Sequence, residues 1–224
     1  MGTDVRLGAM DGVFTVAGVR PARDGMTISR DAGLGSENTV TFFALGAGTS
    51  ISRERYDMTS MYIGALGEAV FLTGDDAGRQ SFLDGDMLIV PGGTLCGVES
   101  GSGAVYTEII IKKEINMNNL VKAGEVMKLK NLIQYEEGSI SNLDIVSNPT
   151  MKFVLMAFDE GTGLQPHHAP GNAIIFALEG KAVIGYEGKD YTISAGENFR
   201  FEKNGLHSVT ADGKFKMALL LVIE

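Results

Sequence analysis

The sequence predicts an all-β fold with little helix, arranged as two tandem barrels. Short runs of apolar and β-branched residues alternate with Gly, Asp and Asn along the chain, which is typical of β-sandwiches and barrels. One twelve-residue pattern occurs once in each half of the chain. The three histidines lie only in the second half, so the two halves are expected to differ in function.

Each half supplies candidate strands bounded by turn residues. Helical periodicity is weak except from Asn116 onward, where the sequence predicts one or two helical turns with Asn116 as the N-cap. The charged run before this segment breaks the apolar pattern, so we place the boundary near Lys113, with domains at 1–113 and 114–224. The candidate strands are VTFFAL, AVFLTG, DMLIVPGG and VYTEIII, then KFVLMAF, NAIIFAL, KAVIGY and MALLLVI.

Composition limits the possible partners. A chain of 224 residues, 44% of them hydrophobic, is long enough for one large domain or two ordinary ones. The net charge of −9 argues against nucleic acid, because phosphate binding needs a basic face. The lone Cys96 excludes an internal disulfide. Residues 1–14 lack a secretion signal and no apolar run is long enough for a membrane span, so we expect a cytoplasmic protein without membrane contact.

The chain contains an internal repeat that can be aligned residue by residue. Residues 85–96 align without gaps with residues 196–207, and ALGEAVF upstream of the first copy aligns with ALEGKAVI upstream of the second. VTFFAL aligns in the same way with MKFVLM. Two similar halves of ordinary domain size are therefore expected, each with its own complete set of strands.

The repeated segment resembles the second sequence motif of the cupin superfamily, and the whole chain resembles a bicupin. In the first half Gly85, Pro91 and Gly93 match the motif, and Cys96 stands where the family has its histidine. The resemblance implies two RmlC-like jelly-roll barrels, also called double-stranded β-helices, related by a pseudo-twofold axis. It does not name a reaction, because this superfamily hosts many chemistries.

The second half keeps more of the family's polar residues. Gly196 and His207 match the motif, whereas Glu202 and Asn204 replace its Pro and Gly. Ala173 stands where the first cupin motif has a glutamate. Residues 117–224 are also similar to small single-domain bacterial cupins with a His-x-x-Pro-Gly-x-Ala stretch, in which alanine at that position is normal. That group supplies no settled activity.

The histidines are candidate metal ligands. Side chains two residues apart share a strand face, so either Gln165 and His167 point into the barrel, or Pro166 and His168 do. The resemblance favours His167, with Gln165 as a weak oxygen ligand and His207 from the following strand. Neutral imidazole suits Zn, Fe, Ni and Cu, and a carboxylate extends the range to Mn. We therefore expect a divalent transition metal held by His167, His168 and His207. No nucleotide cofactor is expected, because no phosphate-binding fingerprint follows a strand.

Two other roles for these histidines stay open. A histidine in a barrel mouth can hydrogen-bond a backbone carbonyl for structural reasons alone, or it can act as an acid or base without metal. A metal-free isomerase of the cupin type would use His207 or His167 as the base. Its acid would be a tyrosine in the same half, Tyr186 or Tyr191.

The first half offers fewer metal donors. Counting back from Gly67 puts Ser60 at the glutamate position, with Arg53 and Arg55 in place of the His-x-His pair. Two arginines aimed into a barrel would bind a carboxylate or phosphate, but exposed ion pairs on the rim are the more common arrangement. Cys96 is interpreted as a small core residue. The N-terminal barrel is therefore predicted to bind no metal.

These observations favour a bicupin that binds a small metabolite, an organic acid or a sugar derivative, in its C-terminal barrel through a divalent metal. The N-terminal barrel would then be a scaffold. The alternatives are a non-enzymatic binding or sensing module and a metal-free isomerase. The protein would be a monomer with pseudo-dimeric barrels or a homodimer.

Overall fold

The computed structural model describes residues 12–35 and 37–223, and their regular structure is almost entirely β. The predicted all-β class with little helix is confirmed. The prediction that the chain lacks a secretion signal rests on residues 1–14, most of which lie outside the described residues. A four-residue helix, α1, spans Val16–Val19. The strands of the first half are β1 (Val13–Phe14), β2 (Thr27–Asp31), β3 (Thr39–Leu45), β4 (Thr49–Arg55), β5 (Thr59–Thr73), β6 (Gly78–Leu83), β7 (Asp86–Val90), β8 (Leu95–Ser100) and β9 (Ala104–Ile111).

The second half contains a single 3-10 turn at Leu129–Asn131 among its described residues. The expected N-cap at Asn116 is wrong, because its backbone pairs with Ser147 in a short strand. The strands of this half are β10 (Asn116–Met117), β11 (Met127–Lys128), β12 (Ile140–Asn148), β13 (Met151–Phe158), β14 (Gly163–His168), β15 (Asn172–Tyr186), β16 (Lys189–Ser194), β17 (Asn198–Phe201) and β18 (Leu206–Val222).

The strands form two nine-stranded antiparallel sheets in the part of the chain that the structure describes. One sheet has the order β11-β7-β5-β9-β3-β2, with β4, β6 and β8 paired off this path. The other has the order β1-β17-β15-β18-β13-β12-β10, with β14 and β16 off the path. Within residues 12–35 and 37–223, neither α1 nor the 3-10 turn could span a bilayer.

The long central strands β5 and β15 turn a corner at matching glycines. Gly67 and Gly180 have φ values of +73° and +76°, a conformation that favours glycine. A Cβ atom would lie 2.2 Å from the Gly103 carbonyl oxygen in the first case and 1.9 Å from the Lys214 carbonyl oxygen in the second. Strand β5 pairs with β7 and β9 before its glycine and with β6 and β8 after it. Strand β15 changes from β17 to β16, while β18 pairs with it on both sides of Gly180.

The loop that precedes His207 has Asn204 where the family motif has glycine, and its backbone explains why this substitution is tolerated. Gly93 and the aligned Asn204 both have a left-handed backbone, with φ values of +79° and +66°. Asparagine tolerates this conformation better than other residues with a side chain. The turn that presents residue 207 is therefore preserved without the glycine.

Among the residues that the structure describes, the buried apolar side chains form three clusters. One fills the first barrel, one fills the second, and the third lies between the two sheets and draws residues from both. Strand β7 contributes in both directions, because Met87 and Ile89 enter the shared cluster while Leu88 and Val90 enter the barrel. Each central strand is therefore apolar on both faces.

Each sheet also contains one strand from the other half of the chain. Strand β1 pairs with β17 of the second sheet, and β11 pairs with β7 of the first, so pairing crosses the predicted boundary at residue 113 in both directions. The buried Asn198 side chain accepts a hydrogen bond from the Val16 amide at 3.2 Å and donates one to the Ile175 carbonyl at 3.2 Å. Gln80 makes the reciprocal contacts with the backbone of Gly124 and Val126.

Asn198→Ala tests the strand exchange. The variant leaves the Val16 amide without its partner at a site where Asn198 is only 4% exposed. An unsatisfied buried donor costs about 1–3 kcal/mol, so the free energy of unfolding should fall by that amount. Urea denaturation followed by circular dichroism measures it, with the exposed Gln134→Ala as control. Equal unfolding midpoints for Asn198→Ala and wild type would contradict a stabilising role for these contacts.

Candidate functional site

His167 and His207 lie side by side at one end of the C-terminal barrel. Strands β14 and β18 pair so that the two residues are directly opposite each other. Residues directly opposite across an antiparallel ladder point to the same face. The two ring centroids are 4.2 Å apart at an interplanar angle of 51°. The structure therefore brings these two predicted site residues together.

Backbone carbonyls define the tautomer of both rings. The Nδ1 atom of His167 lies 2.8 Å from the Gln165 carbonyl oxygen, and that of His207 lies 3.1 Å from the Gly205 carbonyl oxygen. A carbonyl oxygen only accepts hydrogen bonds, so Nδ1 carries the proton in each neutral ring. The lone pair is then on Nε2, which is the usual arrangement for a histidine ready to bind a metal.

The two rings differ in their surroundings. His167 is exposed, whereas His207 is 8% exposed and packs on the Phe201 ring, with centroids 4.1 Å apart. Burial lowers the pKa of His207; the Gly205 carbonyl opposes this shift, and the neighbouring histidines His167 and His168 add to it. His207 is therefore held in the neutral form that donates a lone pair.

His168 does not join the pair. It lies opposite Leu206 on the ladder, and its Nδ1 atom is 2.8 Å from the Asn204 carbonyl oxygen, so it points to the other face of the sheet. The predicted three-histidine set is therefore not assembled. Gln165 lies in a bulge between Leu164 and His167 and contributes its backbone carbonyl to the site. Among residues 12–35 and 37–223, no three His, Cys, Asp or Glu side chains are grouped so as to hold a metal.

Tyr186 is the third member of this ladder, directly opposite His207 on β15. Its hydroxyl accepts a hydrogen bond from the Glu202 amide at 3.3 Å, and its ring contacts Phe199 and Phe201. Tyr186 and His207 also border a surface cavity of about 270 Å³. The other candidate acid, Tyr191, packs against Phe199 instead.

The N-terminal barrel repeats the same ladder with different residues. Glu54 lies opposite Cys96, after a bulge that matches the one before His167. Cys96 aligns with His207, so Glu54 occupies the place of His167. Counting along the sequence missed this position, because the bulge shifts by one residue which side chain faces inward.

Arg53 and Arg55, the predicted anion-binding pair, do not point into the N-terminal barrel. Both contact the hairpin between β5 and β6, where Arg53 donates to the Gly74 carbonyl and Arg55 pairs with Asp75. Arg55 also donates to the Gly93 carbonyl at 2.7 Å. The Arg55–Asp75 pair is exposed, with 53% and 78% of the two side chains accessible. This is an exposed ion pair of the kind that the sequence analysis gave as the alternative to an anion site.

A second group of polar side chains was missed by sequence reasoning. The N-terminal barrel encloses a cavity of about 130 Å³ with tyrosines and one carboxyl group in its walls. The signal was present, because Glu108 interrupts the apolar run VYTEIII at a position that alternation places inside. We call this space the aromatic cavity; the lining residues that matter below are Phe43, Tyr56, Tyr62, Phe71, Tyr106 and Glu108.

Comparisons with known proteins agree with this architecture. Residues 154–223 match the family model of the cupin domain. The Cupin 2 conserved barrel domain protein from Leptotrichia buccalis superimposes with a TM-score of 0.84 at 21% identity, over 98% of both chains. The chain has a cupin fold. No curated protein sequence matches it at a significant level.

Two further solved structures are less similar. Salicylate 1,2-dioxygenase from Pseudoaminobacter salicylatoxidans, solved with gentisate adducts, has a TM-score of 0.67 at 12% identity, over 94% of this chain and 80% of the dioxygenase. AerE from Microcystis aeruginosa has a TM-score of 0.52 at 11% identity, over 88% and 98% of the two chains. At these identities the likeness shows the fold alone.

Native Cys96 should react slowly with alkylating reagents. The side chain is 6% exposed, and burial raises the pKa of its thiol to about 11, so little of the reactive thiolate is present at neutral pH. We expect iodoacetamide to label Cys96 much faster after unfolding in urea than in the native protein, as measured by mass spectrometry. Equal labelling rates would show that the thiol is accessible and ionised.

Proposed function

We propose that this protein is a bicupin that binds a small organic acid at the mouth of its C-terminal barrel, through a divalent transition metal held by His167 and His207. The observation that carries the proposal is the pair of neighbouring imidazoles, each with its Nδ1 proton directed to a backbone carbonyl. This leaves two Nε2 lone pairs on one face of the ladder.

The donor set determines the kind of ligand. Two neutral imidazoles suit Zn, Fe, Ni or Cu, but a catalytic zinc site usually has three protein ligands. A metal held by two histidines keeps several open coordination positions, which a bidentate acid and water can fill. Bound there, the metal would supply a Lewis acid for the oxygens of the ligand. The buried Phe201 ring packs against His207 and fixes the position of the imidazole.

A metal-free isomerase is the second candidate. Tyr186 and His207 are cross-strand neighbours that border the same cavity, so an acid and a base lie within reach of one ligand. The lowered pKa of His207 favours the neutral form that a base requires. Uptake of metal separates the two candidates.

Removing His207 should abolish metal binding, whereas removing His168 should not. His207→Ala deletes one of two protein ligands, and we expect calorimetric titration with Ni²⁺ or Zn²⁺ to detect no binding. This loss exceeds the roughly 10- to 100-fold cost of removing a partner that only orients a ligand. His168→Ala is the matched control, because His168 is on the same strand pair but faces the other way.

Three outcomes would contradict the proposal. The first is equal metal affinity in wild type and His207→Ala, and the second is loss of binding in His168→Ala alone. In the third, the untagged wild type binds no metal, and the metal-free isomerase becomes the better candidate. If metal binds, gentisate is a suitable first organic acid, because it is the adduct named for the dioxygenase with the related fold.

Metal affinity should fall with falling pH. Protons compete with the metal for Nε2, and protonated imidazole no longer coordinates. Burial lowers the pKa of His207, so its neutral form persists to a lower pH than in an exposed histidine. We therefore expect binding to weaken below about pH 6 rather than at neutral pH. Calorimetry across a pH series measures this, and a constant affinity from about pH 7 to pH 5 would contradict histidine ligation.

A further inference from the structure

The aromatic cavity has the size and walls of a site for a very small ligand. Its volume of about 130 Å³ equals that of roughly four water molecules. The Phe43 and Tyr106 rings stack with centroids 5.4 Å apart, and Tyr62 and Phe71 approach to 4.7 Å. Tyr56 is 41% exposed and forms part of the lining, so the cavity extends towards the surface.

Glu108 places a carboxyl group in this aromatic lining. It lies directly opposite Tyr62 on the ladder. Burial raises the pKa of the Glu108 carboxyl, and the neighbouring Tyr62 hydroxyl opposes that shift. None of the salt bridges in the described part of the chain involves Glu108. Its charge is therefore without a cationic partner in the free protein.

The other barrel shows that the fold does not need these polar groups. Counted from the matching corner glycines, the pair Tyr62–Glu108 corresponds to Ile175–Leu219, and Tyr106 corresponds to Met217. The same strands therefore close around apolar side chains at these positions of the C-terminal barrel. Buried polar groups cost free energy unless something compensates them, and a bound ligand would compensate the polar groups at these positions of the N-terminal barrel.

The charges near the entrance also favour a cation. The Tyr56 hydroxyl donates a hydrogen bond to the Glu54 carboxylate at 3.2 Å, which adds a second acidic group on the rim. The guanidinium of Arg53 is directed away, to the carbonyls of Gly74 and Asp75.

We propose that the aromatic cavity binds a small aliphatic ammonium ion, with its charge facing the Glu108 carboxylate and its alkyl groups against the rings of Tyr62 and Tyr106. Aromatic faces attract cations, and the attraction is largest where water is excluded. A carboxylate at the same place adds an ion pair and hydrogen bonds to any N–H groups. This site is separate from the histidine pair, so it stands whether or not the C-terminal barrel binds metal.

Calorimetric titration of the full chain tests the proposal. The probes are the chloride salts of methylammonium, trimethylammonium and tetramethylammonium, with tert-butanol as an uncharged compound of similar shape to the last. We expect saturable binding of at least one ammonium ion and at least about tenfold weaker binding of tert-butanol, because the alcohol lacks the charge. No binding of any ammonium probe to the folded protein, or equal binding of tert-butanol, overturns the proposal.

One variant and one control locate the binding. Glu108→Gln keeps the shape and a hydrogen-bonding group for Tyr62 but removes the charge, so the ammonium affinity should fall at least about tenfold. His207→Ala, in the other barrel, should leave it unchanged, which distinguishes failure here from failure of the metal site. Unchanged ammonium affinity in Glu108→Gln overturns the proposal, as does loss of affinity in His207→Ala alone.

A third variant separates a binding role from a structural one. Glu108→Leu introduces the residue that the C-terminal barrel has at its matching position, Leu219. If Glu108 exists for a ligand, this change removes ammonium binding but raises the melting temperature of the free protein. Retained binding in Glu108→Leu, or a lowered melting temperature, contradicts the proposal.

The pH dependence of ammonium binding gives a further readout. The uncharged groups around Glu108 are the hydroxyls of Tyr56, Tyr62 and Tyr106 and the thiol of Cys96. The charged neighbours are Glu54, on the rim beside Tyr56, and Arg53, which is bonded to the Gly74 carbonyl. In a Glu54→Gln variant Glu108 is the acidic group that remains at the cavity lining, so ammonium affinity should decrease towards acid pH as its carboxylate is protonated. An affinity that rises with acidification would overturn the assignment of Glu108 as the counter-ion.

Discussion

The apolar layer between the two barrels is the constraint on which the rest of the structure depends. It draws Met61, Ile63 and Ile89 from the first half and Ile174 and Leu220 from the second, all buried to within about 1% of their surface. Each central sheet must therefore be apolar both towards its own barrel and towards its partner. If the halves separated, each would expose a broad apolar face, which a folded monomer rarely tolerates. Strands β1 and β11, exchanged between the sheets, strengthen the same attachment.

This constraint also makes the histidine pair rigid. His207 is near the start of β18, whose later residues, including Leu220 and Val222, enter the layer between the barrels. The ring of His167 is aligned with it by the β14–β18 ladder rather than by a loop. Sites built on strands hold their donors more precisely than sites on loops. The relative position of the His167 and His207 rings is therefore fixed by the packing of the whole molecule.

The sequence predicted the features that depend on local patterns. Alternation and turn residues predicted the fold class, whereas the corners of the two central strands at Gly67 and Gly180 were found only in the structure. The face on which each histidine lies could not be predicted, because the bulge before His167 adds a residue that leaves no mark in the sequence. The same bulge hid the correspondence between Glu54 and His167 and pointed instead to the arginines beside it.

Glu108 could not be found from the family motifs, because it lies outside both copies of the motif and matches no ligand position. The two barrels share one backbone design but divide their polar groups differently. The C-terminal barrel has an apolar interior and polar donors at its mouth, whereas the N-terminal barrel has its polar groups inside. An apolar interior stabilises a barrel most, so a carboxyl and two tyrosines inside reduce that contribution. The N-terminal barrel, predicted to be a scaffold, therefore has a carboxyl group and tyrosines at interior positions where the C-terminal barrel has apolar side chains.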